Sequence, residues 1–120
     1  MKLYKDVPCY ACKFFPPKGI NAFTWFNKII VRGNEQDLTN LLLSPWGVKI
    51  INHEYIHTIQ GNTLGWFTFY RLYLKYYFKG LVKFLNHKKA VHSIPFEMEA
   101  YANEDKEYYT TFWEDYNIYE

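Results

Sequence analysis

The residues with the clearest chemical potential are His53-Glu54-Tyr55-Ile56-His57. Two histidines four apart stand one turn above the other on a single helical face, where both imidazoles reach one metal ion. The glutamate beside the first histidine lies about 100° round the helix, close enough to reach a metal-bound water without ligating the metal. A zinc ion held this way needs a third protein ligand and an open fourth position to do chemistry. The competing reading is a buried helix whose two histidines bond backbone carbonyls. It leaves Glu54, at the position of a general base, unexplained.

These residues must be positioned by the elements around them. Ser44-Pro45 reads as an N-cap followed by proline at the first helical position, and Gly61 as a stop, predicting a helix over about 45–60. On it Val48, Ile51, Tyr55 and Ile59 fall opposite His53, an apolar back separate from the histidine face. Thr63 is read as the cap of an aromatic helix running to about Leu85 and loosened at Gly80. Ser93 and Pro95 open a third helix, ending between Asn103 and Trp113. Upstream, the stretch to Gly19, with Pro8, Pro16 and Pro17, reads as irregular. Residues 22–26 and 29–32 read as a hairpin, and 35–43 as a short helix. The expected fold class is mainly α with α+β character: three main helices and a small N-terminal β-hairpin or sheet, in one domain over 1–120.

The histidine motif resembles the HExxH signature of the zincin metallopeptidases, and the fold that this implies is a minimal zincin-like domain. The extended metzincin pattern would require Gly at 60 and His at 63, where Gln60 and Thr63 stand, so that branch is excluded. The tract Pro95-Phe96-Glu97-Met98-Glu99-Ala100-Tyr101-Ala102-Asn103-Glu104 is similar to the second motif of gluzincins, a glutamate ligand followed by Ala at the third position and an acidic residue at the fourth. The resemblance implies Glu97 as third ligand and Ala100 as the small residue packing on the metal helix. Tyr101 stands where the acid is usual, which leaves open the carboxylate that orients a ligating histidine. Glu99 is the alternative ligand. It projects about 200° away from Glu97 on a helix, so the two do not share one metal, and Tyr101 and Glu104 fall on the side of Glu97. His57-Thr58-Ile59-Gln60 also matches the HxxQ continuation of some small bacterial proteins of this kind.

The activity that the resemblance implies is hydrolysis of a peptide or protein substrate, with zinc on His53, His57 and Glu97 and with Glu54 as general base. Tyr101 and His92 are candidates for a hydrogen bond to the oxyanion, and residues 29–32 for an edge strand that aligns the substrate. Against an enzyme, 120 residues leave little material for the second lobe of a peptidase cleft. The alternative is a catalytically silent or metal-stabilised scaffold that binds a membrane surface or protein partner through an aromatic helix over 66–85.

Composition narrows the remaining classes. A net charge of +2, from 14 basic and 12 acidic residues, speaks against a nucleic-acid binder. The charge is unevenly spread: +4 over 1–52, +5 over 53–92 and −7 over 93–120, so the basic middle and acidic end are expected to pair. Cys9 and Cys12 are too few for a disulfide framework. Their CxxC spacing allows a structural Cys₂His₂ site with His87 and His92, the simpler reading being two reduced, half-buried thiols. No apolar stretch follows the basic start as in a signal peptide, and none is long enough to span a bilayer, so a cytoplasmic protein is expected. The 22% aromatic content accompanies many Lys, Asn and Ile residues, as AT-rich codons would produce. Codon usage does not place Arg71, Lys75, Lys79 and Lys83 four apart among nine aromatics. Four bases in mid-bilayer would each cost about 2.5–3.5 kcal/mol. A helix lying on an anionic membrane, or a homo-oligomer contact, fits this segment better than a span does, and the plainer reading is a core helix whose basic stripe faces water or pairs with the acidic residues 97–120.

Overall fold

The computed structural model describes residues 1–106. Four strands come first: β1 (Lys2–Tyr4), β2 (Val7–Cys12), β3 (Ala22–Trp25) and β4 (Lys28–Arg32). Five helices follow: α1 (Glu35–Leu43), α2 (Pro45–Leu64), α3 (Trp66–Phe84), α4 (His87–His92) and α5 (Pro95–Asn103). The fold is mainly α with a small N-terminal sheet, as expected.

The sheet runs in the order β1-β2-β4-β3, with β2 and β4 parallel and both outer pairs antiparallel. The hairpin of β3 and β4 turns at Phe26-Asn27, with Phe26 at φ 53°. A bulky residue pays about 1–2 kcal/mol for that left-handed backbone. Tertiary contacts hold it there: the Phe26 amide donates to the Tyr70 hydroxyl, and its ring packs on Trp66 and Tyr70. The irregular reading of the first nineteen residues is corrected by β1 and β2. Their turn, Lys5-Asp6, has both residues at positive φ, 48° and 71°, the geometry that Asn-Gly normally announces. Pro8 comes one residue before β2 begins to pair with β4 at Cys9. A second correction concerns 29–32. β4 is an inner strand, and the edge beside α2 is β3, whose Thr24 hydroxyl donates to the Glu54 carbonyl at 3.0 Å.

Helix ends follow local chemistry where a polar cap exists. Asn34 and Asp37 form a capping box on α1, and the Ser44 side chain accepts from the Gly47 amide with Pro45 opening α2. Gly61 is not a stop, nor Thr63 a cap, because α2 continues to Leu64 and turns at Gly65, φ 89°. Gly61 is needed for closeness instead: a Cβ there would strike the Trp66 ring. Gly80 likewise does not loosen α3. It is buried against Ala90 and Ser93 and lets α4 lie close. Ser93 ends α4, a helix the sequence reading lacked, and α5 starts at Pro95 after Ile94 without a side-chain cap.

Two apolar clusters flank α2. Val7, Cys9, Ile29 and Val31 of the sheet meet Leu38 of α1 and Ile51 of α2 on one side. Phe69 and Leu72 of α3 meet Ile94 and Phe96 on the other. α2 is therefore covered on both sides, and the histidine face is as enclosed as the apolar back. No helix among the described residues is long and apolar enough to cross a membrane.

Candidate metal centre

His53 and His57 leave α2 one turn apart and meet the side chain of Glu97 from the first turn of α5. The Nε2 atoms of both histidines lie 2.9 Å from the same oxygen, Glu97 Oε1. One donor atom from each residue falls in a group spanning no more than 4.8 Å. A tetrahedral ion with bonds of about 2.0–2.1 Å keeps its ligand atoms about 3.3 Å apart, so modest adjustment seats a metal ion. This is the one group of at least three metal-ligating side chains among the described residues.

The atoms turned away from that point are each held by another residue. His53 Nδ1 is 2.8 Å from Glu104 Oε2, an acceptor, so this nitrogen carries the proton. His57 Nδ1 is 2.7 Å from Gln60 Oε1. The Gln60 amide cannot be reversed, because its Nε2 donates to the Phe96 carbonyl at 3.0 Å and to Glu99 Oε1 at 2.6 Å. His57 therefore donates through Nδ1 as well. Tyr73 donates its hydroxyl to Glu97 Oε2 at 2.6 Å and leaves Oε1 to the histidines. With both imidazoles neutral in these tautomers, three lone pairs converge on one buried point. Such a point requires protons or a cation.

The electrostatics express the same demand. Burial alone would push His57 down, but the Glu97 carboxylate lifts it to about 9. Burial also opposes the charge on His53, and the hydrogen bond to Glu97 raises it. Glu97 would be raised by burial, yet the two histidines hold it well below the usual carboxylate range. Burial raises the Glu54 carboxyl to about 7 despite both histidines, and burial beside Glu97 raises the Tyr73 hydroxyl. A pH dependence of the metal-free protein follows. The Glu97 contribution to stability is present above its ordinary value of 4.5 and fades as pH falls below it. The His57 contribution is full below 6.5 and is lost as pH rises towards about 9. Glu54, favoured neutral, removes stability between 4.5 and about 7, in the same direction. Thermal unfolding after chelation should therefore show a Tm that falls from pH 6 to 9, and a rising Tm would contradict the assignment.

His53, His57 and Glu97 come together. Glu99 turns to Gln60 instead of the histidines, because the two glutamates leave α5 on different faces. Glu104, two turns beyond Glu97, provides the carboxylate that Tyr101 does not, and it also meets Lys49 at 3.5 Å. Asn52 fixes the end of α5 by donating to the carbonyls of Glu104, at 2.8 Å, and Lys106, at 3.1 Å. Ala100 is fully buried where α5 crosses α2. The Tyr101 ring packs on His53 with centroids 4.4 Å apart and planes tilted by 60°, whereas His92 packs on the Tyr101 ring at 4.8 Å and does not line the cleft. Tyr73 was not singled out by the sequence, since nothing separates it from eight other aromatics nearby. Gln60 carried a signal, its HxxQ spacing, but not its role.

Of the acidic end expected to pair with the basic middle, Glu97 and Glu104 face His53 and His57, and Glu107, Glu114 and Asp115 lie outside the described residues. The Cys₂His₂ option fails here. Cys9 is buried in the sheet core, where desolvation pushes its thiol up to about 11, and His87 pairs with the Tyr77 hydroxyl at 2.9 Å.

A cleft of about 800 Å³ opens over the centre between the 19–26 segment and the helices α3 and α4. His53, Glu54, His57, Glu97, Tyr101 and Glu104 line it, with an apolar wall that includes Ile20, Trp25, Phe26, Phe69, Tyr70 and Leu74. Gln60 stands outside the cleft and supports it. Gln60→Leu strands His57 Nδ1 and the Phe96 carbonyl, so metal affinity should fall about 10–100-fold and stability by about 1–3 kcal/mol. Metal titration and denaturant unfolding check both, and an unchanged affinity would remove Gln60 from the centre.

Comparison of the chain with protein-family models, curated proteins and solved structures finds no match.

Proposed function

We propose that the protein is a zinc-dependent peptidase of gluzincin type, with zinc on His53, His57 and Glu97. The observation that carries this reading is the convergence of three donor atoms, two of them from buried residues and each with its other polar atom held in place, at the foot of a cleft that also contains Glu54. Zinc, when bound, supplies Lewis acidity that polarises a carbonyl and brings a water molecule near neutrality in pKa. Nitrogen and carboxylate donors in a three-residue set suit zinc better than the hard cations calcium or magnesium.

The chain's own residues do the rest in this reading. Glu54 removes the proton of the attacking water and returns it to the leaving amine, a task open to a carboxylate that lines the cleft beside the two histidines without ligating the metal. Tyr101, beside His53 and lining the cleft, is the nearer of the two candidates for a hydrogen bond to the oxyanion. The substrate lies along β3, and the apolar wall favours a bulky apolar side chain next to the cleaved bond. Thr24 and Phe26 offer backbone groups to that substrate. The Tyr70 hydroxyl already occupies them, donating to the Thr24 carbonyl at 3.1 Å and accepting from the Phe26 amide at 3.0 Å, so an extended substrate takes its place.

The test is metal analysis of native protein joined to cleavage of a mixed peptide library. One zinc per chain and cleavage that ends on chelation and returns with zinc are expected. Absence of metal after metal-replete expression overturns the proposal. The scaffold reading is favoured by the depth of the centre, with His57 4% and Glu97 8% exposed. It differs in one result: metal is bound, and no peptide is cut.

A further inference from the structure

We propose that the outer face of α3 is an attachment surface for an anionic lipid bilayer. The inner face of α3 buries Phe69, Leu72 and Gly80. Its opposite face exposes Phe67 (83%), Leu74 (53%), Phe78 (57%) and Val82 (78%), and Leu85 (85%) continues the row at the helix end. At 100° per residue these five side chains fall within about 80° of arc, an apolar stripe on a helix about 28 Å long that also carries the exposed Arg71 within its arc, a further positive charge on this face. Isolated exposed apolar side chains are ordinary; a row of five on one helix face is not.

The flank of this stripe is basic. Lys75, Lys79 and Lys83 occupy the next 80° or so of arc and are exposed. Their ammonium groups lie near aromatic rings of the same helix, 5.6 and 5.9 Å from the Tyr76 centroid and 5.2 Å from that of Phe84. Lys88 and Lys89, also exposed, extend the positive charge onto α4. From residue 55 to residue 96 the chain contains no Asp or Glu. A second copy set symmetrically on this face would bring lysines to lysines with no carboxylate from either helix. A nucleic acid would meet an apolar centre where its phosphates need charge. An anionic bilayer matches both parts, with acyl chains for the stripe and phosphate or carboxylate headgroups for the lysines. The helix lies in the interface and does not span it, in accord with its charge. This assignment uses none of His53, Glu54, His57, Glu97, Gln60, Tyr73 or Glu104; Leu74, at one edge of the stripe, also borders the cleft.

Flotation of the full chain with vesicles tests it. Binding is expected to phosphatidylserine–phosphatidylcholine vesicles and not to pure phosphatidylcholine, and it should weaken as salt is raised from 0.1 to about 0.5 M. The triple substitution Lys75→Gln, Lys79→Gln, Lys83→Gln should weaken partitioning about a hundredfold. Phe78→Ala with Val82→Ala should weaken it at least about tenfold at unchanged charge. All five positions are exposed, so circular dichroism should be unaltered. Full chain that stays unbound, or binding indifferent to lipid charge, overturns the proposal. So does self-association without vesicles that Phe78→Ala abolishes, which would give the face to a second copy.

Discussion

Glu97→Gln is expected to reduce bound metal from one equivalent to none while leaving a folded chain. The substitution keeps the volume of the side chain and an oxygen for Tyr73, but it removes the negative charge that both histidines face at 2.9 Å. Two neutral imidazoles alone make a poor site for a divalent ion, since the third donor and its charge are both gone. The metal-free protein is affected too. The elevation of His57 depends on Glu97, so in the variant His57 reverts towards neutrality and the stabilising pair disappears. Removing one partner of a buried pair costs about 3–5 kcal/mol, and the lower end applies because the histidines can shed their protons. Elemental analysis after dialysis, with unfolding in chelator, gives both numbers. A Glu97→Gln variant that keeps its metal beside a Glu99→Gln variant that loses it would transfer the third ligand to Glu99.

Glu54→Gln should give the opposite dissociation: metal retained, cleavage reduced by about 10²–10⁴. Glu54 is outside the three-donor group yet lines the same cleft, and its position on α2 is held through the backbone, where Thr24 donates to its carbonyl. The amide keeps shape and burial and loses the capacity to take a proton. Because the Glu54 carboxyl is favoured neutral, the variant should also lose less stability than the native chain as pH rises from 4.5 to about 7. Steady-state cleavage and metal content measured on one preparation decide the matter. If Glu54→Gln leaves every measurable activity intact while His53→Ala unfolds the protein, the metal is structural and the scaffold reading takes over.

The centre was legible wherever a helix sets the spacing. His53 and His57 share a face through the 3.6-residue period, and Glu97, Tyr101 and Glu104 repeat that relation on α5. Capping told as much about the start of α2, because Ser44 and Pro45 act on backbone groups within a turn; the capping box of Asn34 and Asp37 on α1 acts the same way but was not read from the sequence. Legibility ended where a tertiary neighbour decides. Gly61 and Gly80 read as breaks, yet each stays inside its helix because a ring or a neighbouring helix presses on it. The β1–β2 turn was hidden by Lys5 in a backbone that favours Asn or Gly. The parallel pairing of β2 with β4 joins strands separated by a long connection, and no local pattern announces such a pairing.

By itself the sequence determined a pair of histidines on one helical turn, a glutamate at the position of a base, and a second acidic helix in reach, since these are matters of spacing along α-helices. Only the tertiary structure decided which carboxylate meets the histidines and how each is held. Glu97 was chosen over Glu99 by the rotation of α5 against α2, and Glu104, Gln60 and Tyr73 by the packing of three helices around one point. The orientation of a ligand depends on an atom at no fixed distance along the chain, 51 residues away for His53 and Glu104 but three for His57 and Gln60. Spacing reveals the second partner. The first had to be brought there by the fold.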